Sequence, residues 1–331
     1  MEQRRWERLG RELGAVGLGC WQIGAEWGPV SEDDAMATLH AAADAGVTCF
    51  DTADVYGDGR SERLVGRMRA ERIADEEEPI FVATKMGRRA NPHVPEAFTR
   101  EAFRGWVDRS RANLGMDTLN LVQLHCPPAG VLDSDQVFDA LDELVQEGRI
   151  AAYGVSVETC AEALAAIARP GVASVQLILN AFRLKPVQEV LPAAAAEGVA
   201  IIARVPLASG LLTGRYDEST SFPAEDHRTY NRHGDAFDIG ETFSGVPYDI
   251  GVRAAREIAA LTPPGWSTAQ LALRWVLDQP GVSVVIPGAR NAQQALDNVV
   301  AAHLDPLPPA TLAAIAEIYN HHIREHIHGR W

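Results

Sequence analysis

The 331-residue chain is 47% hydrophobic, enough for one large core, and carries a net charge of −15. A nucleic-acid partner wants a basic face, so this balance excludes that class. No apolar run approaches the roughly 20 residues of a membrane span, and the start MEQRRWERLG lacks a signal peptide's apolar stretch. Cys20, Cys49, Cys126 and Cys160 form no CxxC pair and are read as reduced thiols of a cytoplasmic protein.

In chain order, eight strand-like runs alternate with amphipathic helices. AVGLGC leads to a helix over Glu32–Ala45, opened by the capping residue Ser31 and a turn of carboxylates. TCFDTA precedes Glu62–Arg72, IFVATK precedes Phe98–Leu114, and LNLVQLHC precedes Gln136–Glu147. IAAYGVS is followed by Ala161–Ala168, and SVQLILN by Val187–Glu197. AIIARVP leads to Thr268–Asp278 only after a long aperiodic stretch, and VSVVIPG leads to Asn291–Ala302. Gly46, Gly148 and Gly198 fall between a helix and the next strand, where a helix stop is wanted.

Strict alternation means parallel strands joined by crossover helices, and near-continuously apolar strands are buried on both faces. The chain is therefore expected to be a single-domain α/β protein, a (β/α)8 TIM barrel, and its length suits one. A doubly wound sheet would carry GxGxxG after its first strand, whereas Gly14, Gly17 and Gly19 read GxxGxG. Arg215–Gly251 is expected to be a long loop insertion after the seventh strand. Its aromatics, among them Phe222, Tyr230, Phe237 and Phe243, speak against disorder.

Barrel chemistry sits at the C-terminal ends of the strands. Those ends carry Asp51, Lys85 and His125 on strands two, three and four, with Tyr56 on the second loop. Each alone has an ordinary structural explanation: a loop cap, a rim charge, a core histidine. Together they converge on one volume, which favours a site. A tyrosine with a pKa of about 10 is a poor acid near neutrality. A neighbouring lysine, kept charged by a buried aspartate, is expected to lower it, while a histidine donates a hydrogen bond to a carbonyl.

FDTADVYGDGRSE, ATKMG and LVQLHCP, in this order, resemble the signatures of the aldo-keto reductase family, and the likeness runs over essentially the whole chain. It implies that Asp51, Tyr56, Lys85 and His125 form the family's tetrad. Tyr56 would be the general acid, reducing an aldehyde or ketone with NADPH. It also implies that Ser156 and Gln176 hold the nicotinamide carboxamide. Pro206, Leu207, Ser209 and Arg215 would wrap the pyrophosphate, and Gly288, Arg290, Gln294 and Asn298 would take the adenosine phosphate. Cys20, Trp21, Asp51 and Arg204 complete the expected cofactor set, and Trp21, Tyr56 and His125 the substrate set. A glycine turn, an arginine and a helix start after strand eight also make a common barrel phosphate site, and Arg290 favours NADP(H).

The sequence departs from the family pattern at Val157, Arg204 and Val205, where asparagine, a stacking aromatic and serine are common. Arg204 either stacks on the reduced nicotinamide or turns aside to a carboxylate or phosphate. Trp27, Phe182 and Trp331 either join Trp21 in the substrate pocket or pack in the core. His322 and His326 share a helix face without further ligands, and no metal is assigned. Two alternatives stand beside the carbonyl reductase: a cofactor-sensing regulatory subunit of the same fold, and a Schiff-base aldolase using Lys85.

Overall fold

The computed structural model describes residues 1–24, 30–77 and 80–331, so Trp27 lies outside the described residues. The barrel strands are β1 (Leu18–Gly19), β2 (Cys49–Asp51), β3 (Phe81–Met86), β4 (Leu121–His125), β5 (Tyr153–Ser156), β6 (Val172–Ile178), β7 (Ala200–Arg204) and β8 (Val284–Val285). They pair in parallel in sequence order. The ring closes where Gly17 N donates to Val285 O at 2.8 Å and Gly19 N to Pro287 O at 3.0 Å. The chain is a single (β/α)8 barrel.

The outer helices are α1 (Glu32–Asp44), α2 (Arg60–Ala74), α3 (Arg100–Leu114), α4 (Asp135–Gln146), α5 (Cys160–Ile167), α6 (Lys185–Glu197), α7 (Tyr248–Ala259), α8 (Thr268–Leu277), α9 (Ala292–Val300) and α10 (Pro309–Ile318). Their starts follow the local chemistry. Ser31 accepts from Asp34 N at 3.0 Å, Asn291 accepts from Gln294 N at 2.9 Å, and Thr159 with Glu162 closes a capping box. Gly198 ends α6 at φ 66°, a left-handed position that glycine occupies without a Cβ clash. None of the helices among the described residues is long and apolar enough to cross a membrane.

Along each strand, alternate side chains enter the barrel. At the N-terminal end the interior is apolar: Cys49, Phe81, Leu121, Ala200, Ile202 and Val284 belong to one buried cluster. A hairpin formed by Gln3–Trp6 and Arg11–Gly14, not anticipated from the sequence, plugs that end. Its Trp6 is 1% exposed and meets Phe81 edge-on, with ring centroids 5.8 Å apart. Two longer helices also went unread: α10, and α7, which starts within the stretch expected to be loop. Above the apolar plug the inward positions turn polar, with Asp51, Lys85, Gln123, His125 and Gln176 all buried.

Truncating Trp6 leaves a void that the hairpin and strands cannot fill. Trp6→Ala is expected to cost about 3–5 kcal/mol in urea unfolding. The folded fraction should keep its turnover number, because the site lies at the opposite end. A large drop in turnover per folded molecule would contradict that separation.

Candidate active site

The polar layer is organised around the Asp51 carboxylate. Lys85 Nζ donates to Asp51 Oδ1, to Thr52 O at 2.9 Å and to Tyr56 OH at 3.3 Å, so all three ammonium hydrogens have acceptors. Asp51 Oδ2 accepts from Gln176 Nε2 at 2.7 Å and Gln123 Nε2 at 3.1 Å. These partners come from β2, β3, β4, β6 and the loop after β2, so the layer itself ties the strands together. The structure thus brings together Asp51, Tyr56, Lys85 and His125. The Tyr56 and His125 rings lie 5.9 Å apart and nearly perpendicular, and Trp21 stacks on Tyr56 at 6.0 Å.

The electrostatics differ in one respect from the sequence expectation. Burial pushes the Tyr56 phenol up to about 12; the Lys85 cation pulls it down but does not win. Tyr56 is therefore fully protonated at neutral pH. Burial works against the Lys85 charge, yet Asp51 and Tyr56 outweigh it and its pKa is raised. Burial, followed by the cations of Arg88, Lys85 and Arg204, holds His125 well below the usual imidazole range. It stands as a neutral ring whose Nδ1 has no hydrogen-bond partner among the described residues.

Tyr56 and His125 line a cavity of about 770 Å³ at the C-terminal face. It runs past Cys20, Trp21 and Gln176, along Pro206, Leu207, Ser209 and Arg215, to Gly288, Arg290, Gln294 and Asn298. Ser156 is not in its wall: it is buried, with its hydroxyl 3.8 Å from Cys126 Sγ. Ser209 lines the cavity, but its hydroxyl donates to Glu241 O at 3.1 Å and accepts from Phe243 N at 3.0 Å, anchoring the insertion. Gln294 Oε1 accepts from Arg290 N at 3.0 Å, and Asn298 Nδ2 donates to Gly288 O at 3.2 Å. Those two side chains shape the turn that presents Arg290. The Gln22 side chain occupies the space a Cβ on Gly288 would need. The guanidinium groups of Arg215 and Arg290 are exposed and have no carboxylate partner among the described residues.

Arg204 turns aside to a carboxylate. Nη2 donates to Glu158 Oε2 and Val157 O, both at 3.0 Å, and Nη1 lies 2.6 Å from Glu241 Oε2. Arg88 stands farther from the same carboxylates, at 3.6 and 3.8 Å. Burial pushes Glu158 up to about 7; Glu241, also buried, is held below the carboxylate range because Arg204 and Arg88 outweigh its burial. The Cys126, Glu158 and Glu241 ligand atoms lie within 4.8 Å of one another, but these arginines already occupy the carboxylates. The next residue, Val205, is held at φ 52°, unusual for a β-branched side chain, and Asn180 Nδ2 fixes its carbonyl at 2.8 Å.

Other expectations separate. Phe182 is fully buried, and Trp331 lies against Arg183 at 3.8 Å and donates to Asp238 at 3.2 Å; neither lines the cavity. His322 and His326 pair with Glu257 at 2.9 Å and Glu325 at 3.2 Å. Sequence reasoning missed Gln22, Arg88, Glu158, Glu241 and Trp266. Arg88 and Glu158 could have been found by following β3 and β5 just past their ends; Glu241 and Trp266 have no periodic signal around them. It also missed Asp54, fully buried with neither carboxylate oxygen hydrogen-bonded among the described residues, whose burial and the Glu62 charge push it up to about 7.

A parallel barrel that gathers an ion-paired lysine, a phenol and a neutral imidazole at its C-terminal face, beside an elongated cleft, is built as an enzyme. The aldo/keto reductase family model matches residues 15–320, and the chain belongs to that family of oxidoreductases. It is 30% identical to aldo-keto reductase YhdN of Bacillus subtilis (strain 168), across 89% of this chain and 86% of that protein. It is 29% identical to aldo-keto reductase yakc [NADP(+)] of Schizosaccharomyces pombe (strain 972), across 92% and 87%. The glycerol dehydrogenase AKR11B4 from Gluconobacter oxydans superposes with a TM-score of 0.77 at 28% identity, covering 98% of this chain and 96% of that one.

Removing Arg204 strands the buried Glu241 carboxylate and the partly buried Glu158. Arg204→Met is expected to lose about 3–5 kcal/mol near neutral pH, the usual cost of breaking a buried pair from one side. Glu158 has a raised folded pKa, so its protonated form is favoured below about 7 and the loss should shrink as pH falls. Urea unfolding at pH 5.5 and 8 checks the sign, and adding Glu158→Gln should recover part of the loss. A loss that grew on acidification would sink this account.

Proposed function

We propose that this enzyme uses NADP(H) to reduce an aldehyde or ketone to the alcohol, with Tyr56 as proton donor. The observation that carries the reading is the Tyr56 hydroxyl, 3.3 Å from Lys85 Nζ and beside neutral His125, at one end of a cleft whose other end presents Arg290. A bound nicotinamide supplies a hydride to the carbonyl carbon. The remaining steps belong to the chain's own residues. His125, uncharged, offers a ring N–H to the substrate oxygen without donating a full positive charge. Tyr56 gives its proton to the same oxygen as alkoxide character develops. Its high pKa does not prevent this, because the alkoxide is a stronger base than the phenolate. Lys85, held by Asp51 and Thr52, then stabilises the phenolate left behind.

The cofactor reading rests on the same cleft. Exposed Arg290 stands at the N-terminal turn of α9, where backbone N–H groups and the helix dipole favour an anion. With Arg290 and Arg215 free of carboxylates among the described residues, the groove has unspent positive charge for phosphates. The name of the fission-yeast relative, with its NADP(+), points the same way. Lys85 as a Schiff-base nucleophile is disfavoured: attack needs a neutral amine, and this one is a charged ammonium with every hydrogen engaged.

Tyr56→Phe should bind NADPH as the parent does and lose about 10²–10⁴ in turnover with a good carbonyl substrate. Retention of half the parental kcat would remove Tyr56 from the mechanism. Arg290→Ala should weaken NADPH by about one to two decades while NADH changes little, the value of one charge-assisted contact. Equal losses for the two cofactors would show that Arg290 does not read the 2′-phosphate.

A further inference from the structure

The far end of the cleft is walled by the N-terminal turns of α8 and α9. Gln270 on α8 reaches the Asp297 carbonyl on α9 at 3.5 Å, so these helices run side by side. Arg290 comes from the turn before α9, and Trp266 from the turn before α8, just ahead of the Ser267 cap. The Trp266 indole is half-buried, forms part of the cleft wall, and stacks on no ring or cation among the described residues.

That sets it apart from the other described tryptophans. Trp6 meets Phe81, Trp21 stacks on Tyr56, Trp106 meets Phe98 at 5.6 Å, and Trp331 covers Arg183. Trp275 is 3% exposed, inside the core. An aromatic ring packed against the core on one side and lining the cleft on the other, in the same wall as a guanidinium without a carboxylate partner among the described residues, matches a ligand with a flat ring joined to a phosphate. An adenosine 2′-phosphate has both parts.

We propose that Trp266 is the stacking face for the cofactor's adenine and that, with Arg290, it forms the recognition unit for the adenosine half. This rests on the NADP(H) reading above. The indole would contribute through dispersion and exclusion of water from the purine face, without hydrogen bonds, and so would not discriminate NADPH from NADH. Arg290 would supply that discrimination. The division separates affinity from selectivity at one end of the cleft, far from the reacting atoms.

The test uses 2′,5′-ADP, which carries the adenosine and its phosphates but no nicotinamide, titrated calorimetrically into the full-length protein. Trp266→Leu should weaken 2′,5′-ADP and NADPH alike by about 10- to 100-fold, the range for loss of an aromatic partner from a stacked base. Trp266→Tyr, which keeps a flat ring, should recover most of the affinity. The NADPH-to-NADH affinity ratio should not change, because the indole does not touch the 2′-phosphate. Equal 2′,5′-ADP affinity in the parent and Trp266→Leu, with NADPH binding intact, would overturn the proposal. A parent that binds neither NADPH nor 2′,5′-ADP would instead overturn the NADP(H) reading, and this proposal with it.

Discussion

The rest of the site depends on one buried ion pair, Lys85 with Asp51. Two full charges in a barrel interior would each carry a desolvation cost of several kcal/mol if left alone. Here all three ammonium hydrogens are engaged, by Asp51, Thr52 and Tyr56, and both carboxylate oxygens accept, from Lys85, Gln123 and Gln176. The ion pair thus sits in a hydrogen-bonded network spanning four strands, the condition under which buried charge is tolerated. It also decides what surrounds it. The phenol is held next to a cation, yet dry enough to stay protonated, and the imidazole is kept neutral by burial and by that same cation among others.

The apolar plug beneath this layer has a complementary part. Cys49, Phe81, Leu121 and the hairpin residue Trp6 are buried together and separate the ion pair from solvent at the N-terminal end. Sealing one end of the barrel and opening the other gives the polar layer a single wet face, the cleft. That asymmetry is why the Tyr56 hydroxyl and His125, at the top of the layer, are the groups available to a ligand.

What the sequence shows and hides follows from this construction. The eight parallel strands were legible because each is buried on both faces and so reads as an apolar run between helical periods. Asp51, Lys85 and His125 were legible because polar residues at the ends of such runs break the pattern. The hairpin was not, since Arg4, Arg5, Arg11 and Glu12 leave only Trp6 and Leu13 as inward-facing signals. The start of α7 was masked for another reason: it is embedded in a segment whose aromatics pack on one another, as Phe243 does on Tyr248 at 5.0 Å, without helical spacing. The direction of the Tyr56 shift was misjudged because a sequence shows that a lysine is near but not how dry the phenol is. Burial is a property of the assembled barrel, and here it outweighs the nearby charge.

Arg204 shows how one charged residue at a strand end ties together the loops above it. An aromatic at that position has no charge to satisfy and can lie flat on whatever enters the cleft. A buried guanidinium must be neutralised, and the nearest carboxylates belong to two different loops, Glu158 after β5 and Glu241 in the insertion. Satisfying Arg204 therefore ties those loops to β7, and Ser209 repeats the connection from the other side through Glu241 O and Phe243 N. Val205, in its left-handed conformation, turns the chain between these two anchors, with Asn180 holding its carbonyl. The roof of the cleft is thus fastened to the barrel by charge and hydrogen bonding at its inner edge. Because Arg204 and Glu241 are buried and Glu158 only slightly exposed, salt screens this fastening far less than it would a surface pair. Of its two carboxylates, burial pushes Glu158 up to about 7, while Arg204 and Arg88 hold Glu241 below the carboxylate range.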